Sequence, residues 1–397
     1  MRILFVAMAN SIHTARWITQ VADQGWDLHL FSSIDSSLVH SALRSVAVHH
    51  SFYGHQRDRH PSVRSRGIAV GNTRLGNLCR MMVRKFSPDY RVRQLARLVR
   101  RLKPDIVHSL EIQAGGYLTL RAKAEIGRAF PKWIATNWGS DIYLFGRLAA
   151  HAENVRAVLE ACDYYSCECQ RDVALARDMG LRGIALPVLP NTGGFDLERA
   201  TNLRQPGSTS DRRTIVLKGY QHFSGRSLVG LRALHMCAEQ LQGYRIAIYR
   251  ATDDVKIAAE LLSQDTGIET EIIPPCSHEE MLEIFGKARI YLGLGISDAI
   301  STSLLEAIVM GAFPIQSCTS CADEWIVDGE SGLIVPPEDP DSVADALRRA
   351  LEDDALVDRA AEKNARVAAE RLDDSMIRAQ VIRNYEIVAA GEKINAS

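Results

Sequence analysis

The chain has 397 residues, of which 46% are hydrophobic and 24% are charged. At about 100–200 residues per domain, this length predicts two or three domains, and the composition excludes collagen and a wholly disordered chain. No apolar run approaches the ~20 residues that span a bilayer, and the apolar start at 1–6 is too short for a signal-peptide core. We therefore expect a globular protein of the cytoplasm.

The net charge of −1 hides a strongly basic stretch. Segment 57–103 holds 14 Lys and Arg against Asp58 and Asp89. Such a stretch is either an ordinary solvated face or a surface for a polyanion. No zinc-finger or RNP motif accompanies it, so we predict an anionic membrane surface as partner rather than nucleic acid. Apolar residues recur at helical spacing in 90–103, which is typical of a helix packed on a sheet with its arginines exposed.

The cysteines and acidic pairs do not indicate a metal site. Eight cysteines without a secretion signal indicate a reducing compartment and free thiols. Cys318 and Cys321 form one CxxC, whereas a zinc site needs four convergent ligands. Asp253 and Asp254 begin a predicted helix, where capping explains them better than metal binding. We predict no metal and no cofactor.

Short apolar runs alternate with helical patterns along the first half of the chain. This alternation predicts βαβ units and a parallel sheet. In chain order we predict strand 2–7, helix 14–24, strand 27–31, strand 105–108, helix 113–129, strand 133–136, helix 149–160, strand 163–167, helix 170–179 and strand 184–189.

The polar segment 197–213 has a Pro-Gly pair and a Ser/Thr cluster, and it is the predicted linker. After it the alternation begins again, which predicts two doubly wound α/β domains at 1–200 and 201–373. Ligands of such sheets bind beyond the carboxyl ends of the strands, and the cleft between two domains is the natural site. The second set comprises strands 214–217, 245–249, 270–273, 290–294, 312–316 and 333–335, and helices 227–242, 254–265, 278–287, 301–310, 340–352, 356–371 and 374–390.

Segment 291–311 carries the residues with the clearest chemistry. It leaves a buried strand through a loop that contains Asp298 and enters a helix that residues 301–303 can cap and that carries Glu306. A helix start presents free N–H groups and a positive dipole end, which suit a diphosphate. Carboxylates beside it can accept hydrogen bonds from sugar hydroxyls. A capping Asp and a surface Glu would explain the same two residues.

Residues Asp298-Ala-Ile-Ser-Thr-Ser-Leu-Leu-Glu306 resemble the acid-x7-Glu signature of family 4 retaining glycosyltransferases. The family more often has Glu first, followed by a glycine-rich turn. Segment 325–337 resembles the family's V-x-D-G-x-x-G-x-L-V-P motif, 277–282 the entry to the preceding helix, and 190–191 its "PN" turn. The resemblance implies the GT-B fold, with two Rossmann-like domains facing across a cleft and a last segment, 374–397, crossing back to the first domain.

The resemblance also implies roles on the donor side. Glu306 matches the residue that binds the nucleotide ribose, and Asp298 takes the place of the residue that contacts the donor sugar. Arg226 stands where the family usually has Lys, beside the diphosphate. Because Tyr220 stands where Arg is usual, Lys218 is the predicted second cation for the charge that develops on the leaving group. The remaining predicted donor-binding residues are Gly219 and the loop residues Ala299, Ile300, Ser301 and Thr302.

On the acceptor side, Trp138 stands where the family often has His, and Asp141 is the nearest titratable group. Asp141 is therefore a predicted catalytic residue, together with Asp298, Glu306 and Arg226. His13 and His108 follow or end predicted strands and are further acceptor-side candidates, although a lone His is more often structural. A retaining transferase needs no strong protein base if the leaving phosphate assists proton removal.

The predicted function is transfer of a sugar from a nucleotide-sugar donor to a saccharide or lipid-linked acceptor, with retention and without a metal. We expect it in the cytoplasm or peripherally on the inner face of the membrane. A catalytically inactive GT-B scaffold, a nucleotide-sugar epimerase on the same fold and a two-lobed solute-binding protein are the alternatives.

Overall fold

The computed structural model describes residues 1–53, 56, 59–69 and 74–391, so Arg57 and Asp58 of the basic segment lie outside the described residues. The chain divides into two compact units. The first comprises residues 1–193 and the chain from Arg378 onward, and the second comprises residues 194–377. Each unit is built on one parallel sheet, which confirms the predicted α/β fold with two Rossmann-like sheets.

The first sheet has the strand order β4-β3-β2-β1-β5-β6-β7-β8 among the described residues, and all its pairings are parallel. Its central strands are covered on both faces, which explains their nearly continuous apolar runs. The strands are β1 Arg2–Ala7, β2 Asp27–Ser32, β3 Ala47–Tyr53, β4 Arg64–Ala69, β5 Ile106–Leu110, β6 Lys132–Thr136, β7 Tyr164–Ser166 and β8 Ile184–Ala185.

Among the residues that the structure describes, six α-helices of the first unit precede the second unit. A π-helical turn at Ile112–Gly116 leads directly into the fourth of them. Their bounds are α1 Ile12–Thr19, α2 Arg74–Phe86, α3 Tyr90–Leu102, α4 Tyr117–Ile126, α5 Ala149–Ala161 and α6 Gln170–Asp178.

The second sheet has the order β11-β10-β9-β12-β13-β14, again wholly parallel. This order changes direction between β9 and β12. The strands are β9 Thr214–Lys218, β10 Arg245–Tyr249, β11 Glu269–Ile273, β12 Ala288–Gly293, β13 Phe313–Ser317 and β14 Leu333–Val335. The helices are α7 Leu197–Asn202, α8 Ser227–Met236, α9 Asp253–Thr266, α10 His278–Gly286, α11 Thr302–Met310, α12 Pro340–Glu352, α13 Asp354–Arg371 and α14 Asp374–Ala390.

Helix α14 returns to the first unit and is fixed there by a buried polar cluster. The Tyr385 hydroxyl accepts a hydrogen bond from Trp17 Nε1 at 2.8 Å and lies 2.6 Å from His108 Nδ1. The other ring nitrogen of His108 lies 2.5 Å from Thr136 Oγ1. Lys132 Nζ donates to the carbonyl of Val388 at 2.8 Å. Helix α14 is thereby part of the core built by β1, β5 and β6.

Two expectations about local structure were wrong. Segment 197–213 is not a linker, because residues 197–202 form α7 and the whole segment belongs to the second unit. Arg212 within it is buried, with Nη1 bonded to two carbonyls. The strand expected at 184–189 stops at Ala185, before Pro187, which has no N–H for the sheet. Strands β3 and β4 and helix α2 were not predicted, because this basic part of the chain lacks continuous apolar runs.

Two helices of the first unit differ in length from their predicted spans. The helix expected at 14–24 ends at Thr19. The helix expected at 113–129 is divided by Gly116 and Gly127 into a π turn, α4 and a short 3₁₀ turn. The arginines of α3 behave as expected. Its apolar residues Val92, Leu95 and Val99 pack on the sheet, and its basic residues Arg93, Arg97, Arg100 and Arg101 are exposed.

A buried histidine pair should make the protein sensitive to acid. His49 on β3 is buried with Nε2 3.0 Å from Nδ1 of His29, and burial lowers the pKa of His49 from 6.5 to about 3. The unfolded chain binds a proton here below pH 6.5, whereas the folded protein binds it only near pH 3. The free energy of unfolding should therefore fall by about 1.4 kcal/mol per pH unit for this group as pH decreases through that window.

The measurement is urea unfolding followed by tryptophan fluorescence between pH 7 and pH 5. We expect His49→Gln to be less stable than wild type at pH 7 but to lose less stability on acidification. An equal pH dependence in both proteins would show that His49 is not the titrating group.

Candidate functional site

The change of direction in the second sheet places two loops side by side. Strands β9 and β12 are neighbours, and ligands of doubly wound sheets bind where the strand order reverses. The loops that follow them, 219–226 and 294–301, are joined by two backbone hydrogen bonds, from Arg226 N to Leu294 O at 3.1 Å and from Ile296 N to Ser224 O at 2.8 Å. The predicted donor-side residues in 218–226 and 298–302 therefore lie on one rigid pair of loops.

The turn between β9 and α8 depends on a glycine. A Cβ on Gly225 would lie 2.2 Å from the carbonyl oxygen of Tyr220, so any other residue would force the turn open. Gly225 also forms an isolated antiparallel bridge with Gly295 of the neighbouring loop. Arg226 follows directly, and its position therefore depends on the close approach that Gly225 permits.

Helix α11 begins at this crevice, and the side chain of Ser301 does not cap its first N–H groups. Ser301 is the buried N-cap residue, and its side chain makes no capping hydrogen bond. The first N–H groups of a helix have no partner within the helix and carry a positive partial charge. The Ala299 amide, which was predicted to face the donor, donates instead to Asp298 Oδ1 at 3.0 Å. The candidate backbone amides for binding an anion therefore begin at Ile300.

Lys218 ends β9 and faces the same loop. Its Nζ lies 3.4 Å from Ser301 Oγ and 3.8 Å from Asp298 Oδ2. Burial is the largest single effect and opposes charge on the amine, but Asp298 together with Tyr291, Tyr220 and Glu306 outweighs it, and the pKa of Lys218 is raised. A fixed, fully charged ammonium thus lies beside a helix N-terminus, which is an arrangement suited to a diphosphate.

Glu306 is buried in the second turn of α11 and is paired with a residue of α10. Its Oε1 lies 3.1 Å from His278 Nε2, so His278 donates and the second carboxylate oxygen can accept another bond. A capping box between Ser277 and Glu280 fixes the start of α10, where His278 is the first residue. His278 was not among the predicted site residues. The Ser-x-x-Glu capping pattern at 277–280 predicts that a helix begins at His278. It does not predict that His278 contacts Glu306.

Arg226 is held by an acidic partner. Its Nε donates to Glu338 Oε1 at 2.8 Å, and its Nη1 donates to the carbonyls of Gly225 and His222. Glu338 comes from the loop after β14 and was not predicted. An anionic ligand reaching this guanidinium must compete with that carboxylate.

Two of the predicted acceptor-side residues come together in the first unit. His13 at the start of α1 and Trp138 in the loop after β6 have ring centroids 5.6 Å apart in an edge-to-face arrangement. His13 is exposed and Trp138 is half-buried. Both follow the carboxyl ends of strands close to β5, where the order of the first sheet changes direction.

Asp141, a predicted catalytic residue, lies beneath this loop and is bonded to its backbone. Its Oδ2 accepts hydrogen bonds from the backbone N–H groups of Trp138 at 2.9 Å and Ile112 at 2.8 Å. Burial, followed by the nearby Glu111 carboxylate, raises the pKa of Asp141 well above its usual range. Because it is buried and bonded to backbone amides, Asp141 positions Trp138.

Glu111 is a second buried carboxylate that the sequence did not reveal. Its φ of +70° and ψ of 147° lie in a region that side-chain-bearing residues rarely adopt. Its side chain accepts from the backbone N–H groups of Ala114 and Gly115. Burial raises the pKa of Glu111. The strained residue thus caps the π turn that begins the crevice of the first sheet.

The structure places His108, a predicted acceptor-side candidate, in the core of the first unit. It is buried with both ring nitrogens engaged, by Tyr385 and Thr136, and burial lowers the pKa of its imidazole to about 3. It is a neutral residue of the core that holds α14 in place.

Two family models match the chain in succession. The model described as "Glycosyl transferase 4-like" matches residues 2–166, and the model described as "Glycosyl transferases group 1" matches residues 240–367. Together they cover more than half of the chain. The chain belongs to the family 4-type glycosyltransferases. The second match includes His278, Asp298, Glu306 and Glu338.

Curated relatives of this glycosyltransferase match a shorter segment. A phosphatidyl-myo-inositol mannosyltransferase of Mycolicibacterium smegmatis is 37% identical over 99 residues, 24% of either chain. A D-inositol 3-phosphate glycosyltransferase of a Nocardioides species is 32% identical over 96 residues, 24% of this chain and 21% of the relative. The chain therefore matches only about a quarter of the length of these relatives.

Solved structures share the GT-B fold over nearly the whole chain. Sucrose-phosphate synthase of Thermosynechococcus elongatus has a TM-score of 0.70 at 14% identity, covering 99% of this chain and 100% of that one. HepE of Anabaena, in complex with UDP-glucose, has a TM-score of 0.67 at 13% identity, covering 97% and 99%. At these identities the likeness shows the fold alone.

The helices of the structure can be compared with what a membrane-spanning helix requires. Within the part of the chain that the structure describes, none of the helices combines the length and apolar content that crossing a bilayer requires.

The Arg226–Glu338 pair allows a matched test of the predicted donor site. Arg226→Ala should weaken binding of a nucleoside diphosphate by about 1.5–3 kcal/mol, the contribution of a charged hydrogen bond. Glu338→Gln removes the competing carboxylate, so it should leave binding unchanged or strengthen it. Isothermal titration with UDP and GDP measures both. If Arg226→Ala binds as wild type does, Arg226 is not in the site.

Variants of Glu306 and His278 test whether the carboxylate of α11 recognises ribose. Glu306→Gln keeps one acceptor oxygen but loses the charge, so nucleotide affinity and kcat/KM should both fall. The readout specific to ribose is the ratio of affinities for UDP and its 2′- and 3′-deoxy analogues, which should approach one in Glu306→Gln. His278→Phe should show a smaller change in the same ratio, and His278→Gln should restore it in part. An unchanged ratio in Glu306→Gln would contradict ribose recognition.

Proposed function

We propose that the protein transfers a sugar from a nucleotide-sugar donor to a hydroxyl of a saccharide or lipid-linked polyol, with retention of anomeric configuration. The observation that carries this proposal is the convergence, at the crevice of the second sheet, of the Lys218 ammonium, the uncapped start of α11 and the buried Glu306 carboxylate. These groups match the charge and hydrogen bonding of a diphosphate followed by a ribose.

The donor would bind with its diphosphate against Lys218, Arg226 and the N–H groups at the start of α11. Glu306, oriented by His278, would accept hydrogen bonds from the ribose hydroxyls. As the bond between the sugar C1 and the phosphate oxygen breaks, negative charge grows on the leaving diphosphate, where these cations are already in place. Lys218 and Arg226 supply positive charge themselves, and this supports metal-independent transfer.

Asp298 would contact the donor sugar beside the diphosphate. Its carboxylate is held between Lys218 and the Ala299 amide, so its orientation is set before the donor arrives. In a retaining transfer the acceptor oxygen forms its bond to C1 on the face that the phosphate leaves. The acceptor proton passes to the departing phosphate oxygen, and no side chain has to act as a strong base.

Trp138 and His13 would form the acceptor side. An indole face packs well against the apolar face of a sugar or cyclitol ring, and the imidazole can hydrogen-bond its hydroxyls. The inositol-containing names of the curated relatives favour a polyol of this size. Asp141 holds the Trp138 loop from below and so supports this surface without touching the acceptor.

The basic residues of the first unit support a peripheral location on the inner face of the membrane. Arg93, Arg97 and Arg101 recur every four residues along α3 and are exposed. Near an anionic surface each such residue contributes about 1 kcal/mol, screened by salt. An acceptor linked to lipid would be presented at that surface.

Sugar transfer is tested with a panel of UDP- and GDP-hexoses, with release of nucleoside diphosphate measured with and without candidate polyol acceptors and with EDTA present. NMR of the product gives the anomeric configuration. We expect release to depend on one donor and to survive EDTA. Trp138→Ala should raise the acceptor KM severalfold and leave nucleotide affinity unchanged, whereas Lys218→Gln should lower nucleotide affinity.

Binding of a nucleoside diphosphate without transfer or hydrolysis of any donor would instead support a catalytically inactive scaffold. An inverted product would contradict retention while leaving sugar transfer intact.

A further inference from the structure

Helix α2 presents its apolar side to solvent. Of its side chains, Leu78, Met81, Met82 and Phe86 are 48%, 59%, 46% and 73% exposed. Three of them, at positions 78, 82 and 86, recur every four residues and form a continuous stripe along one face, which we call the α2 stripe. A surface helix of a globular protein normally turns such a stripe toward the core, so this helix needs another apolar partner.

On the side of α2 away from the stripe, an ion pair attaches the helix to the segment that follows β2. Arg84 lies opposite the α2 stripe on the helix, and its guanidinium contacts Asp35 with Nε at 2.9 Å and Nη2 at 2.8 Å. Asp35 also accepts a hydrogen bond from Tyr90 at the start of α3. The anchored carboxylate thus fixes the end of α2 and the beginning of α3, and it holds the α2 stripe outward.

The charge around the α2 stripe selects its partner. Residues 74–103 contain ten Lys and Arg against the single acid Asp89. Arg74 and Lys85 border the stripe on the helix surface and are exposed. An apolar stripe bordered by cations fits the boundary between anionic headgroups and acyl chains, where long basic side chains reach the phosphates. A protein partner would need an apolar groove and a dense acidic rim together.

We propose that α2 lies in the plane of an anionic bilayer with Leu78, Met82 and Phe86 inserted among the acyl chains. This inference rests on the anionic-surface part of the proposed function and adds to it a salt-resistant component. Electrostatic attraction by the arginines of α3 brings the protein to the surface, and the α2 stripe then holds it there. The first sheet would thereby be kept at the headgroup level, where a lipid-linked acceptor is found.

The test is sedimentation with vesicles of phosphatidylglycerol and phosphatidylcholine at about 0.1 M and about 1 M NaCl, where the Debye length falls from about 10 Å to about 3 Å. Wild type should bind strongly at low salt and keep measurable binding at high salt. Leu78→Gln/Met82→Gln/Phe86→Gln should lose at least about tenfold of the high-salt binding, since burial of even one large apolar side chain accounts for about that factor. Glutamine keeps good helix propensity, so α2 should remain folded.

Two controls separate the contributions. Ile257→Gln/Leu261→Gln on α9 removes apolar side chains that are likewise 61% and 53% exposed and four residues apart, and it should bind as wild type does. Arg93→Gln/Arg97→Gln/Arg101→Gln should bind more weakly than wild type at low salt and equally well at high salt. Circular dichroism and UDP affinity check the fold of each variant.

Several outcomes would overturn the proposal. Wild-type binding that disappears entirely at high salt would leave electrostatic docking but reject insertion. A stripe variant that binds like wild type would reject the role of α2. A stripe variant that binds like wild type and changes only the association state without lipid would show that the face is a protein interface. No binding to anionic vesicles at low salt would also reject the anionic-surface proposal, while the transfer assay tests donor chemistry separately.

Discussion

The parallel pairing of β9 with β12 is the constraint on which the donor side depends. Because both strands run in the same direction, their carboxyl ends meet, and because their following helices leave on opposite faces, the two loops open a crevice between them. Lys218 ends one strand, and Asp298 follows the other. Eighty residues of sequence separate these charges, and the sheet brings them to 3.8 Å.

Much of this arrangement could be predicted because it depends on patterns of residues that are close together in the sequence. The buried run 288–293 and the acid-x7-Glu spacing identify a strand, a loop and a helix without knowledge of their neighbours. The sheet order follows from the general behaviour of βαβ units. The same reasoning did not find β4, because an edge strand with exposed Arg64 and Arg66 has no continuous apolar signal.

Contacts across long sequence separations were the part that could not be predicted. His278 and Glu306 start from different helices, and only the packing of α10 on α11 shows that one orients the other. Asp141 and His108 were titratable groups near strand ends, which made them candidates. The structure shows that both are buried, Asp141 with backbone partners and His108 with core partners. Strand ends indicate where a site lies, whereas burial decides which side chains can reach it.

The Tyr385 cluster has a consequence for how the protein is made. Trp17 and His108 are synthesised early, but the hydroxyl that satisfies both comes from the last helix of the chain. While the second unit is being translated, the first sheet must hold two large polar rings without their partner. Since domains generally fold in order of synthesis, the first unit would emerge incomplete and wait for α14. The first unit therefore reaches its full stability only after the ribosome has passed residue 385. Before that point its core lacks Tyr385 and would be accessible to chaperones.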